Sequence, residues 1–199
     1  IITEGLDHTL YKPSSKKNDN PNILYVGRLK RFKGVHLLIE AIKYVVKKVP
    51  NVRLDIVGRG DPNYEIELKQ QVKHLKLEDV ITFHGYVKEE EKIQFMQGAH
   101  LLVLPSQREG FGLVVIETNA CGTPVVATNV LGLKDAVVDG ETGLLVPYGN
   151  LEALTEAILK ILKEDELRKE FSLNALKWSK KFNWEKSAKE FMDILTHIV

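Results

Sequence analysis

Short apolar, β-branched runs alternate with stretches of helical length, and this alternation restricts the possible folds more than any other feature of the chain. The runs are Asn22–Gly27, Val52–Gly58, Val80–Gly85, His100–Pro105, Pro124–Thr128 and Gly143–Pro147. Between the first two, Val35–Val49 carries apolar residues at 35, 38, 39, 42, 45, 46 and 49, the spacing of one helical face. Asn63–Leu77, Lys88–Ala99 and Leu113–Cys121 read as further helices. Strands joined through helices pair in parallel by right-handed crossovers. The expected class is therefore α/β, a doubly wound, mostly parallel sheet covered on both faces, with ligands bound beyond the strand C-termini. After Pro147 the strands stop, and Leu151–Lys163, Glu166–Lys181 and Trp184–Val199 follow as three amphipathic helical stretches.

Composition narrows the partners. With 199 residues, 44% of them hydrophobic, the chain can bury one sizeable core. Lys plus Arg total 28 against 27 Asp plus Glu, with no long block of one sign, so no electrostatic grip on nucleic acid or membrane is expected. The expected partner is a small molecule. A lone Cys121 excludes an internal disulfide framework and offers no second thiol for zinc, which fits a reducing, cytoplasmic setting. No signal peptide and no apolar run of about 18 residues is present. The chain opens on Ile1, and IITEGLDHTLYKP is broken by Gly, Asp and Pro, so a piece of a longer protein is expected.

Two loops at strand ends could carry chemistry. Gly27–Gly34 reads GRLKRFKG, Gly-rich and basic, yet without the spacing of a P-loop or a dinucleotide fingerprint. Gly27 permits a sharp turn, Arg28 offers a planar fork and Lys33 a mobile point charge. Together they could hold a diphosphate, although a solvated basic loop reads the same way. In Pro105–Glu117, PSQREGFGLVVIE, a strand closes at Pro105, a loop follows, and a helix starts at Gly112 or Leu113. Gly110 and Gly112 let the backbone approach a ligand, and the free N–H groups of that helix make an anion site. Glu117 projects from the early part of the same helix, where a carboxylate can accept two ribose hydroxyls. Glu109 precedes the glycines, towards the far end of a bound diphosphate. Taken singly, either glutamate is equally a helix-start or turn acid; the combination carries the assignment.

These loops, the two glutamates and DGETGLLVP at Asp139–Pro147 resemble the family-4 glycosyltransferases, the glycosyl transferases group 1, over nearly the whole chain. More narrowly, the chain is similar to their C-terminal half, the Rossmann-like nucleotide-sugar-binding domain of a GT-B enzyme. The resemblance implies an incoming interdomain linker at 1–13, a donor-binding domain at 14–183, and a final helix at 184–199 that crosses to a missing N-terminal domain. It implies a retaining, metal-independent hexosyltransferase that needs no cofactor and uses a nucleoside-diphosphate sugar, UDP or GDP type, as donor. Arg28 and Lys33 would bind the diphosphate, Glu117 the ribose, and Glu109 the sugar near its anomeric carbon. Backbone N–H groups around Phe111, Gly112 and Leu113 would touch sugar and phosphate, and Tyr86 and Val87 would face the base.

The acceptor would bind the absent half, which also supplies the family's catalytic-site histidine, so none of His8, His36, His74, His84, His100 or His197 takes that role. Any membrane association would run through the same missing half. The loop after the fifth strand departs from the family's Gly-Gly and nearby Glu, with Leu131, Gly132 and Asp135 instead. His84 and Cys121 read as structural, and Trp178, Phe182 and Trp184 as a satellite core. Two rival readings remain open on the residues alone, a non-catalytic nucleotide-binding module and a GT-B-type sugar-nucleotide epimerase.

Overall fold

The computed structural model describes residues 5–14 and 16–198, with the side chains of 186, 190 and 194–198 excepted. The expected linker and final helix are thus described only in part, and residues 1–4, 199 and the His197 side chain lie outside the described residues.

The first apolar run forms β1 (Asn22–Val26), buried along its whole length as a strand covered on both faces must be. A 3₁₀ turn over Arg31–Lys33 leads into α1 (Val35–Val45), which buries Val35, Leu38, Ile39, Ile42 and Val45. The helical spacing continues to Val49, but the helix stops four residues earlier. Pro50 disfavours the helical conformation of its predecessor, and the chain leaves through a tight turn in which Lys48 N–H bonds Val45 C=O. After β2 (Arg53–Val57), α2 (Pro62–His74) begins one residue before the expected start. Asp61 caps it by accepting from the N–H groups of Asn63 and Tyr64 at 2.9 and 3.2 Å, and Pro62 takes the first helical position, where its missing N–H costs nothing. The helix ends at His74 rather than Leu77, because Lys76 turns left-handed at φ 56°. Leu77 N–H then returns to Val72 C=O and Lys76 N–H to Lys73 C=O, a Schellman closure.

The order continues with β3 (Ile81–Gly85), α3 (Glu89–Gly98), β4 (Leu101–Leu104), α4 (Leu113–Ala120) and β5 (Val125–Thr128). It closes with α5 (Leu133–Ala136), β6 (Gly143–Val146), α6 (Leu151–Lys163), α7 (Asp165–Ser179) and α8 (Trp184–Ile198). Short α5 has no counterpart in the sequence reading. All the described strand pairs are parallel, in the order β3-β2-β1-β4-β5-β6. The expected doubly wound α/β sheet is therefore present. Helices α1, α2 and α6 pack together, as do α3, α4 and α7, the winding reversing between β1 and β4.

A polar chain crosses one half of the sheet. Asn22 Nδ2 donates to Asp55 Oδ2 at 2.7 Å, and His84 Nε2 lies 2.6 Å from Asp55 Oδ1. His84 is thus bonded within the sheet. At the same end of β1, His100 Nδ1 accepts from Asn22 N–H. Cys121 is buried, and its thiol is pushed up to about 12 by that burial. Trp178 stacks edge-on against Phe182 and donates its indole N–H to Ala136 C=O, closing a small aromatic cluster. Trp184 is 60% exposed and does not join the core as expected; it leaves the cluster where α8 begins and lies against Gly5.

Candidate functional site

The crevice opens where the winding reverses, beyond the ends of β1 and β4. A hollow of about 380 Å³ is lined by Gly27 and Lys33 from one side, Glu109 to Val114 from another, and Glu117 and Lys92 from helices α4 and α3. It adjoins a second hollow of about 370 Å³ between the ends of β1, β2 and β3, bordered by Arg28, Arg59, Tyr86 and Val87. Gly27 and Lys92 line both, so the two form one trough.

Close backbone contact builds the first hollow. Gly34, at φ +71°, caps the basic loop, and a Cβ there would lie 2.0 Å from Pro105 C=O. Only glycine allows the two loops to touch in this way. Gln107 N–H also bonds Phe32 C=O at 2.7 Å. Lys33 consequently meets Glu109, its Nζ donating to both carboxylate oxygens at 2.5 and 2.6 Å, with little of either side chain exposed. Ser106 Oγ donates to the same carboxylate at 2.9 Å. Lys33 and Glu109, assigned to the diphosphate and to the sugar in the sequence reading, therefore face one another directly.

Tyr25 forms the floor. Its hydroxyl donates to Arg28 C=O, and burial, then the nearby Glu109 charge, drives the phenol well above its ordinary value. Gly112 precedes α4 in the left-handed conformation, no side chain caps the helix, and Gly112, Leu113 and Val114 at its start line the hollow. Phe111 turns its ring onto Phe182, at 5.7 Å between centroids, while its backbone borders the cleft. The loop after β5 rests on this turn: a Cβ on Gly132 would lie 2.2 Å from Gly110 C=O.

A second charged group stands at the join of the two hollows. Lys92 Nζ donates to Glu117 Oε2 at 3.0 Å and to Glu89 Oε1 at 2.9 Å, and Tyr11 donates its hydroxyl to Glu89. Burial works to lower the Lys92 ammonium, but the two glutamates outweigh it and hold the group above its ordinary value. Burial and the same carboxylates push the Tyr11 phenol far up. Lys92 was not singled out from the sequence, where its spacing from Glu89 matches an ordinary solvated pair on a helix. Arg59 and Tyr25 were missed too; nothing local in GRG or in an apolar strand marks them.

Arg28 is exposed and borders the second hollow, whereas Lys33 lines the first. Tyr86 is 80% exposed at the mouth of that hollow, with Val87 beside it. Of the described histidines, those at 8, 36, 84 and 100 each bond a protein partner, and His74 is exposed at the end of α2. Among the described residues, no group of three or more His, Cys, Asp or Glu is placed to hold a metal ion, and no helix is long and apolar enough to cross a membrane.

Comparison with known proteins adds a pedigree to this geometry. Residues 7–178 match the statistical profile of the glycosyl transferases group 1. An uncharacterised glycosyltransferase of Methanocaldococcus jannaschii is 39% identical over 166 residues, covering 82% of this chain and 44% of that one. Sucrose-phosphate synthase from Thermosynechococcus elongatus superposes with a TM-score of 0.89 at 33% identity, over 99% of this chain and 52% of that one. Anabaena Alr3699/HepE, solved in complex with UDP and glucose, gives a TM-score of 0.89 at 27% identity over 97% of this chain and 55% of that one. The chain thus spans about half the length of each of these three proteins.

Proposed function

The chain belongs to the glycosyl transferases group 1, and on that premise we propose that it is the donor-binding half of a retaining glycosyltransferase. The intact enzyme would move a hexose from a nucleoside-diphosphate sugar to an acceptor held by an N-terminal half. The observation that carries this reading is the convergence of Lys33, Lys92, Glu109, Glu117 and the uncapped start of α4 on one trough at the switch point of the sheet. A phosphate-bearing ligand needs cations and free N–H groups there, and a ribose and a sugar need acceptors beside them.

In this reading the diphosphate lies against the α4 terminus and Lys33, with Arg28 closing over it from the rim. As the bond from the anomeric carbon to the diphosphate oxygen breaks and a bond to the acceptor oxygen forms, charge grows on the departing diphosphate. Preorganised cations and helix N–H groups lower the energy of that charge. We assign this work to the protein's own cations, hence a metal-independent reaction without a cofactor. Glu117 takes the ribose hydroxyls, Glu109 the sugar near its anomeric carbon, and Tyr86 with Val87 the base. The UDP named with the Anabaena structure favours a uridine nucleotide.

Residues 14–183 form the donor domain in this proposal, with 1–13 the incoming linker and 184–199 the return towards the other half. Their proximity supports it: Leu6 N–H bonds Phe182 C=O, and Trp184, Phe191 and Met192 are exposed on the last helix. A cytoplasmic setting accords with the single buried thiol. No feature of the trough favours the binding-module or epimerase readings.

Calorimetric titration with UDP, GDP and ADP and their glucose or mannose conjugates tests the proposal. One base should bind selectively, and Arg28→Ala should weaken it about tenfold or more, as expected for a lost charged hydrogen bond. Absence of binding to any of them, by this chain and by the full-length protein, would refute it.

A further inference from the structure

We propose that Lys92 is a positioning residue for the nucleotide: its ammonium fixes the Glu117 carboxylate in the orientation that accepts ribose hydroxyls, and Glu89 with Tyr11 holds the ammonium in place. The inference rests on the reading of Glu117 as the ribose acid.

Three elements meet at this point. Glu117 projects from α4, Lys92 and Glu89 from α3, and Tyr11 from the segment that enters the domain. Only 18% of the Lys92 side chain and 17% of the Glu117 side chain are exposed, and Tyr11 is buried, so this is not an interchangeable surface pair. The Lys92 ammonium also stands 5.3 Å from the centre of the Tyr11 ring, which limits where it can swing.

The chemistry asks for such a support. A glutamate side chain has three rotatable bonds, and a vicinal diol is recognised only when both hydroxyls find an acceptor together. Lys92 binds one carboxylate oxygen, Oε2, and so limits how the group can turn. Take Lys92 away and Glu89 and Glu117 become two negative charges sharing one partly buried place. They repel, and the Glu117 carboxylate has reason to turn away. The other titratable groups facing the pair are the Tyr11 phenol and the Cys121 thiol, both neutral in the ordinary pH range because burial raises them.

Direct contact between Lys92 and the diphosphate is the competing role, and a missing ribose hydroxyl separates the two. UDP and 2′-deoxy-UDP carry the same diphosphate. A residue that acts on phosphate affects both equally; one that orients the ribose acid affects their ratio.

The test is calorimetric titration of the chain and of Lys92→Met and Lys92→Arg with UDP and 2′-deoxy-UDP, with thermal melting alongside. The native chain should prefer UDP about tenfold or more, the preference should fall to about twofold or less in Lys92→Met, and Lys92→Arg should recover most of it. Equal weakening of both nucleotides in Lys92→Met, with the preference intact, would overturn the proposal. So would no change at all. No preference in the native chain would instead refute the assignment of Glu117, and the positioning role with it. Should Lys92→Met melt early, Tyr11→Phe supplies the second reading: it keeps the ammonium, removes the hydroxyl that fixes Glu89, and should reduce the preference about threefold. An unchanged ratio in that variant overturns the proposal as well.

Discussion

Replacing Glu109 by Gln separates the two roles given to the cleft. Lys33 Nζ holds both oxygens of the Glu109 carboxylate, and both side chains are largely enclosed. A diphosphate seated at Lys33 has to share the ammonium and sits within reach of the glutamate's own charge. Two unit charges about 4 Å apart interact by about 1 kcal/mol in water and about 4 kcal/mol at an effective dielectric of about 20. The trough is open on one side, so the lower part of that range applies. Deleting the carboxylate charge is then worth about 1.5 kcal/mol of affinity for a bare nucleotide, about tenfold in Kd. Gln keeps the shape and an oxygen that can accept from Ser106 Oγ, so the loop should hold its place. Isothermal titration at low salt should show Glu109→Gln binding UDP about tenfold more tightly than the native chain, with the advantage shrinking as salt is added. A sugar-linked donor should gain less, because it loses its contact with the carboxylate. Weaker or unchanged UDP binding in a variant that melts normally would refute the reasoning.

Two further outcomes concern stability. Gly34→Ala puts a Cβ where Pro105 C=O already stands, 2.0 Å away, at a left-handed φ, and should lower the unfolding free energy by about 2 kcal/mol or more. A shift in urea midpoint equivalent to less than about 0.5 kcal/mol would show that the loops are not in tight contact. The His100 ring is brought down to about 4 from 6.5 by burial first, then by Arg168 and Lys17. Between those values the unfolded chain binds a proton that the folded chain refuses, so stability present above pH 6.5 is lost as pH falls towards 4, by about 2 kcal/mol once partial exposure to water is allowed for. Urea titrations at several pH values should show this slope flattened in His100→Asn; the same slope in both proteins would remove His100 as its source.

The strands and most helices were legible because each depends on a local pattern: unbroken apolar runs for strands buried on both faces, a 3.6-residue period for α1 and α6. What escaped was set by single residues or distant partners. Val46–Val49 kept the helical period, but Pro50 ended the helix first. Lys76 closes α2 in a conformation usually reserved for glycine, which no pattern announces. Helix α5, four residues long, is too short for periodicity to speak. In the site, the glycine turns and glutamates could be singled out because their types and spacing stand apart in the sequence, and they line one hollow. Lys92 could not, since its meaning comes from Glu117, 25 residues away, and from Tyr11, which the fold alone brings near. The contact between Lys33 and Glu109 was hidden for the same reason, the two lying 76 residues apart.

The strand order has a consequence for how the chain is made. The seam at the centre of the sheet joins Ile23 to Leu101 and Leu24 to Leu102, so β1 waits for a partner emerging from the ribosome nearly eighty residues later. Until then the first three strands present an unsatisfied, mostly apolar edge at β1, the kind of edge that pairs with the wrong chain. The trough straddles that same seam. A nucleotide therefore has nothing to hold until the two halves of the sheet have met, and its binding energy falls entirely on the finished fold. Supplying nucleotide during expression or refolding should raise the yield of monomer, with the ligand acting as a clasp on the last closure of the sheet.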